Sequence, residues 1–349
     1  MAAGRLIFIP MPSPEPPPFT ITPAILSLVV EIAGEVGRIG AFSGAGQVPK
    51  LRRENRIRSV HASLAIENNT LSLDQVTAVL SGKRVLGPAR EIREVENAFA
   101  AYEAMPSWNP SSSKDLLAAH RLMLAGLVPD AGKFRTRSVG IAQGQRIVHL
   151  APPADRVPGL MKDLLGWLKR TDAHPLIAGC VFHYELEFIH PFADGNGRMG
   201  RLWQTLILSQ WNPLFAFLPV ESVIRDQQAD YYKVLATCDK AGNSTAFIEF
   251  LLKALRTALG EAAAATPASG KKGTKSALSQ HQVAILRQCR TETAIGELMV
   301  IAERSDRTKF RNQILKPLLD AGWVEMTLPD KPNSRLQKYR ITPAGRTLL

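Results

Sequence analysis

The chain has 349 residues, 45% of them apolar, and a net charge of +12. That length exceeds one ordinary hydrophobic core, so two or more domains are expected. No run approaches 18 apolar residues, which argues against a membrane-spanning helix and for a soluble protein, and the cationic balance points to an anionic partner such as nucleotide or nucleic acid.

Along the chain, MAAGRLIFIP has one Arg and a short apolar run with no longer apolar region behind it, so no secretory signal is expected. Residues 10–23 hold seven prolines (Pro10, Pro12, Pro14, Pro16, Pro17, Pro18 and Pro23), the composition of an extended arm. From Ile25 to Leu255 good helix formers and apolar residues recur at three- and four-residue spacings, predicting a mainly α body. Within it, SVHASLAIENN (Ser59–Asn69) reads as a helix burying Val60 and Leu64, with Glu67 near the same face. Asn68 and Asn69 are stop residues, and Ser72 with Gln75 forms a capping box for the next helix. The stretch VGIAQGQRIVHLAPP (Val139–Pro153) carries β-branched residues on both sides of a glycine-containing centre and predicts a β-hairpin.

HPLIAGCVFHYELEFIHPF reads as a helix ending near Ile189, because His190 precedes proline and leaves the helical region. After the turn, Met199, Leu202, Trp203, Leu206 and Ile207 repeat with helical spacing. Asp194 stands just ahead of that helix, where exposed N–H groups and the positive dipole end favour an acid. Gly195, Asn196 and Gly197 let a ligand approach the backbone, and a glycine-containing helix start is an anion site. Arg198 and Arg201 share the first turns and suit a polyphosphate. A carboxylate at Asp194 can hold Mg²⁺ bridging phosphate oxygens, and His190, on the preceding loop, is a general-base candidate. His183, two turns earlier, reads as structural, and the other histidines form no metal-ligand spacing.

Residues 259–275 are small, polar and basic, the composition of a linker. Beyond them, residues 276–349 predict a helix with Leu298, Ile301 and Ala302, and a second helix capped by Ser305 or Asp306. That second helix carries Phe310, Ile314, Leu315 and Leu318 and stops at Gly322; a hairpin follows. From Arg304 onward ten Lys or Arg stand against four acids, a local charge of +6, with Arg307, Lys309 and Arg311 on the second helix and Lys331, Arg335 and Lys338 in the wing. Such a basic winged helix-turn-helix suits either DNA phosphates or protein contacts. Cys180, Cys238 and Cys289 match neither a disulfide framework nor a metal site, so a reducing cytoplasm is the expected compartment.

The stretch from His190 to Arg201 resembles the Fic family signature, H-x-F-x-[D/E]-G-N-G-R-x-x-R, at all eight defined positions: His190, Phe192, Asp194, Gly195, Asn196, Gly197, Arg198 and Arg201. Ser63, Glu67 and Asn68 likewise match the family's inhibitory pattern [S/T]-x-x-x-E-[G/N]. The resemblance implies a Fic helical bundle with a hairpin flap, and transfer of AMP from ATP to a Ser, Thr or Tyr hydroxyl of a protein, releasing pyrophosphate. His190, Asn196 and Arg198 would be catalytic. The nucleotide would lie along His190, Gly195, Asn196, Gly197, Arg198, Met199, Gly200 and Arg201, against Tyr231 and Tyr232 on its adenine side, and Asp194 would hold Mg²⁺. Phe192 would be buried and would fix the loop. Glu67 would pair with Arg201, take the γ-phosphate's place and inhibit. The family also implies a homodimer. The expected domains are an arm with the inhibitory region (1–90), a catalytic core (91–258), the linker and the winged helix-turn-helix. Two alternatives remain: a DNA-binding regulator sensing nucleotide through the Fic domain, and removal of AMP with Glu67 activating water.

Overall fold

The computed structural model describes residues 16–42, 49–143, 146–265, 280–302, 304, 306–320, 322–328, 334 and 336–346. The chain divides into two compact units, Met1–Pro267 and Ala268–Leu349. Residues 1–15, the stretch 266–279, Ser305, Lys331 and Arg335 lie outside the described residues.

The first unit is helical: α1 (Pro23–Phe42), α2 (Pro49–Ile66), α3 (Leu73–Leu80), α4 (Ala89–Ala104), α5 (Ser113–Met123), then β1 (Gly140–Gln143) and β2 (Arg146–Leu150), then α6 (Val157–Arg170), α7 (Pro175–Ile189), α8 (Asn196–Trp211), α9 (Val220–Asp226), α10 (Gln228–Ala241) and α11 (Thr245–Ala265). Its spine is the pair α7 and α8. One side of the pair (Phe182, Leu186, Met199, Trp203, Leu206) packs with α2, α4, α5 and α6. The other side (Leu176, Cys180, Val181, Tyr184, Leu208) packs with α1, α9, α10 and α11. Burial on both sides explains why α7 is apolar almost all round. Gly200 makes the close approach possible, since a Cβ there would stand 2.6 Å from the His183 ring.

Ile57, Val60, Leu64, Leu71 and Val76 share one hydrophobic cluster with Val95 and Ala98 of α4, so α2 and α3 pack into the same core as the helices that follow. The last helix continues to Ala265, into the stretch read as linker, because its GEAAAA tract has high helix propensity. Two local patterns form as expected. Ser72 and Gln75 make the capping box of α3. β1 and β2 form an antiparallel hairpin with Gly140 opposite Leu150 and an irregularity at Ile141–Ala142. The extended stretch after Pro16 is tied down where the Pro18 carbonyl accepts from Ser244 N–H at 3.0 Å.

The second unit runs α12 (Gln280–Gln288), β3 (Thr293–Ala294), α13 (Ile295–Ile301), then α14 (Arg307–Phe310), a π turn (Arg311–Leu315) and α15 (Lys316–Asp320), then β4 (Val324–Met326), β5 (Lys338–Ile341) and α16 (Pro343–Arg346). Its sheet has the order β3-β5-β4, with both pairings antiparallel. Asp306 caps α14 by accepting from Thr308 and Lys309 N–H. Leu298, Ala302, Phe310, Leu315 and Leu318 fill the core. Among the described residues no helix is long and apolar enough to cross a membrane.

His183 is fully buried and held by Gln204 (2.7 Å) and Tyr231 (3.2 Å). Burial, and secondarily Arg201, push its pKa down to about 3. Above its ordinary value near 6.5 neither folded nor unfolded chain protonates it. Below that value only the unfolded chain takes the proton, so stability falls as pH drops from 6.5 toward 3, at up to about 1.4 kcal/mol per pH unit. Urea unfolding at pH 7.5 and 5 should show a shallower decline in His183→Gln than in the wild type; identical slopes would place the charge change elsewhere.

Candidate active site

The α7–α8 loop is built around a residue with unusual backbone. His190 has φ 49°, the left-handed region, and is the C-cap of α7, its N–H donating to the Leu186 carbonyl. Its Nδ1 faces the Glu187 carbonyl at 3.3 Å. A carbonyl only accepts, so Nδ1 carries the proton and Nε2 is the ring's basic nitrogen. Phe192 is buried, and both its backbone groups are taken by one side chain: Asn196 Oδ1 accepts from its N–H and Asn196 Nδ2 donates to its carbonyl, each at 2.9 Å. Asn196 therefore closes the loop with the amide expected on a phosphate, leaving one Nδ2 hydrogen for any ligand. Gly195, at φ 87°, is the N-cap of α8. A Cβ there would meet Leu124 at 2.7 Å, so glycine is required twice over.

Asp194 does not cap the helix as expected. Its Oδ1 accepts from Arg198 Nη2 at 2.7 Å and its Oδ2 from Arg90 Nη2 at 3.3 Å. Arg198 is buried and also faces Glu94 at 3.8 Å. The described residues contain no cluster of three His, Cys, Asp or Glu that could enclose a metal. Asp194 is 37% exposed. A single accessible carboxylate fits Mg²⁺, which typically takes few protein ligands and completes its shell with phosphate oxygens and water.

Arg201 turns to the other side. Its guanidinium is buried; Nε donates to Ser63 Oγ (2.9 Å) and Nη2 to the Ser63 carbonyl (3.0 Å) and Glu67 Oε1 (2.7 Å). Burial alone would lower its pKa, but Glu67, Tyr231 and Glu187 together outweigh it and hold it above the usual arginine range. Glu67 lies just past the end of α2, which Asn68 closes in the left-handed region at φ 67°. The carboxylate sits over Gly197, where a Cβ would be within 2.3 Å of Oε1. Thus Ser63 and Glu67 meet Arg201 at the N-terminal end of α8, while Asn68 only closes α2 behind them. Arg198 and Arg201, however, face opposite carboxylates.

The two tyrosines separate. Tyr231 is 1% exposed, bonded to His183 and packed against Phe247 and Phe250, so it has no face for a purine. Tyr232 is 47% exposed and its hydroxyl donates to the Ile66 carbonyl at 3.3 Å, beside Glu67. Met199 is buried in the core. The hairpin strand β2 lies against α10.

Three site residues escape the sequence pattern. Arg135 donates from Nε to the His190 carbonyl (2.7 Å) and from Nη2 to the Pro152 carbonyl (2.5 Å), joining the loop to the hairpin's end. His120 is buried against Phe192 and Asp194. Its place on the apolar stripe Leu116, Ala119, Met123 was the available signal, since a buried imidazole needs partners. Glu221 accepts from the Tyr102 hydroxyl at 2.7 Å, and a cavity of about 10 Å³ is lined by both Glu221 and Arg201.

Residues 110–208 match the Fic/DOC family, and residues 281–342 match the C-terminal domain of Fic-like proteins (filamentation induced by cAMP). A protein adenylyltransferase fic-1 of Caenorhabditis elegans is 31% identical over 217 residues, covering 58% of this chain and 40% of the relative. A protein adenylyltransferase Fic of Nematostella vectensis is 29% identical, covering 60% of this chain and 49% of the relative. The chain thus spans two fifths to half of the curated relatives it matches. A crystal structure of a Fic family protein from Desulfovibrio desulfuricans G20 is 55% identical, covering 94% of this chain and 99% of that one, with a TM-score of 0.71. The structure of C. elegans Fic-1 (residues 134–508) is 26% identical, covering 71% of this chain and 73% of that one, with a TM-score of 0.56.

Gly197→Ala should expel the Glu67 carboxylate from its seat. The substitution should destabilise the wild type by about 1–3 kcal/mol and cost far less in a Glu67→Gly background, where alanine's helix propensity is free to act. Urea unfolding of the four proteins measures this coupling. Equal costs in both backgrounds would mean the carboxylate does not stand over Gly197.

Proposed function

Because the chain belongs to the Fic family, we propose that it is a protein adenylyltransferase, moving AMP from ATP to a hydroxyl side chain of a protein. The observation that carries this reading is His190: a histidine with Nδ1–H engaged and Nε2 basic, one short turn ahead of a glycine-flanked helix N-terminus. Nε2 takes the proton of a Ser, Thr or Tyr hydroxyl. The oxygen forms its bond to the α-phosphorus, the bond to the bridging oxygen breaks, and pyrophosphate leaves. The first N–H groups of α8, at Gly195, Asn196 and Gly197, have no partner within the helix and serve the α-phosphate, where charge builds. Arg198, released from Asp194, binds the outer phosphates. Asp194 is the side chain that would hold Mg²⁺; when bound, the ion neutralises phosphate charge and eases departure of pyrophosphate. The half-exposed Tyr232 is the residue offered to the adenine side. An extended target segment docks by adding a strand to the hairpin.

In this reading the chain is autoinhibited. Glu67 occupies the Arg201 guanidinium at 2.7 Å, and its negative charge opposes a phosphate at the same place. Ser63 and Asn68 hold the geometry from either side. ATP then lies off the line of attack.

The second unit supports a lesser reading, duplex DNA binding by a winged helix. Arg304, Arg307, Lys309, Arg311 and Lys338 are exposed on it. Binding of the full chain to duplex should weaken steeply with added salt, and Arg307→Ala should weaken it across all sequences; salt-independent or absent binding would leave the unit as a protein-contact module.

The transfer reading is tested with α-³²P-ATP and Mg²⁺ on wild type, Glu67→Gly and Glu67→Gly/His190→Ala. Labelling of protein should rise in the single variant and vanish in the double. Undiminished labelling in the double would remove His190 as the base, and absence of labelling in every variant that binds ATP would overturn transfer.

A further inference from the structure

We propose that His120 is a positioning residue of the transfer site, an imidazole clamp that aims one backbone donor at the α-phosphate and ties the signature loop to the segment leading into the hairpin. This rests on the AMP-transfer reading and adds to it a residue outside the signature.

His120 is 1% exposed on α5. The Gly132 N–H donates to its Nδ1 at 2.8 Å, so Nδ1 bears no proton. The proton of the neutral ring is on Nε2, which donates to the Asp194 carbonyl at 3.0 Å. The ring also stacks on Phe192, with centroids 3.8 Å apart and planes 5° from parallel. One side chain thus fixes the backbone of Asp194 and the ring of Phe192, two signature positions, from the inner side.

The consequence follows from peptide geometry. The Asp194 carbonyl and the Gly195 N–H belong to one planar trans unit, so they point in opposite directions. Drawing the carbonyl inward onto His120 turns the Gly195 N–H outward. That N–H is one of the three offered to the α-phosphate. Left-handed Gly195 has no side chain to fix this plane, so the orientation must come from a neighbour. The far end of the clamp reaches the hairpin side, because three residues after Gly132 the Arg135 Nη2 donates to the Pro152 carbonyl at the hairpin's end, while its N–H donates back to the Pro191 carbonyl of the loop at 2.9 Å.

The two ends can be tested separately in the full chain carrying Glu67→Gly. His120→Gln keeps a donor where Nε2 stood and loses the acceptor for Gly132. His120→Asn keeps that acceptor and loses the donor to Asp194. At saturating ATP the Asn variant should label about 100-fold more slowly and the Gln variant within about threefold of its parent, with KM for ATP changed little in both. Equal losses, or no loss, in the two variants would overturn the clamp. A parent that does not label would instead sink the transfer reading. Should either variant fail to fold, imidazole ¹⁵N NMR of the parent decides: His120 protonated at Nε2 alone is expected at pH 7.5, and the Nδ1–H tautomer or an imidazolium would overturn the assignment.

Discussion

The arrangement depends on one buried guanidinium. Arg201 sits in the interior, where an unpaired charge costs several kcal/mol. Among the described residues its guanidinium donates twice to Ser63 of α2 and once to Glu67, just past the end of that helix. That requirement fixes much else. α2 must stand against the N-terminus of α8, position 197 must lack a side chain, and position 200 must lack one so that α8 can close on His183. In the proposed reading the same charge has two successive partners, a carboxylate at rest and a phosphate in action. Glu67, about one-third exposed, is the accessible half of the pair.

The loop beside it follows a second rule, that carbonyls are held from within. The His190 carbonyl goes to Arg135, Pro191 to the Arg135 N–H, Phe192 to Asn196 and Asp194 to His120. A loop so tethered is preorganised, and oriented donors in a fixed frame are what charge stabilisation during phosphoryl-type transfer needs. The left-handed His190, strained for a residue with a side chain, persists because Arg135 and the end of α7 over-determine it.

Much of this was legible in the sequence because spacing carried it. The α7 and α8 repeats, the glycine-rich turn, the capping box and the hairpin are local patterns, and local patterns survive folding. What spacing does not encode is which way a side chain is spent. Asn196 turned inward to Phe192, and Asp194 turned to two arginines instead of the helix N–H groups. The adjacent tyrosines illustrate a signal misread. Tyr231 stands on the stripe shared with Val234, Leu235 and Cys238 and had to be core; Tyr232, 100° away around the helix, did not. His120 and Arg135 join the site only through tertiary packing; the apolar stripe of α5 marks His120 as buried but not as a partner of the loop, and no short-range pattern announces Arg135.

In the proposed reading, the same packing constrains how the resting state would open. Removing α2 from α8 would expose Ile57, Val60 and Leu64, each contributing about 1.5–3 kcal/mol by burial. It would also strip Arg201 of both Ser63 contacts. The end of α2 is gripped in addition: Gln228 donates to the Ile66 carbonyl at 2.9 Å, and Asn69 donates to the Glu91 carbonyl at 3.2 Å. Rotating the Glu67 side chain disturbs none of these. It costs one charge-assisted hydrogen bond, roughly 1.5–3 kcal/mol, which an arriving phosphate on the same guanidinium can replace. Opening by side-chain rotation over a stationary helix is therefore the cheaper course, and it leaves Ser63 in place to orient Arg201 toward its second partner.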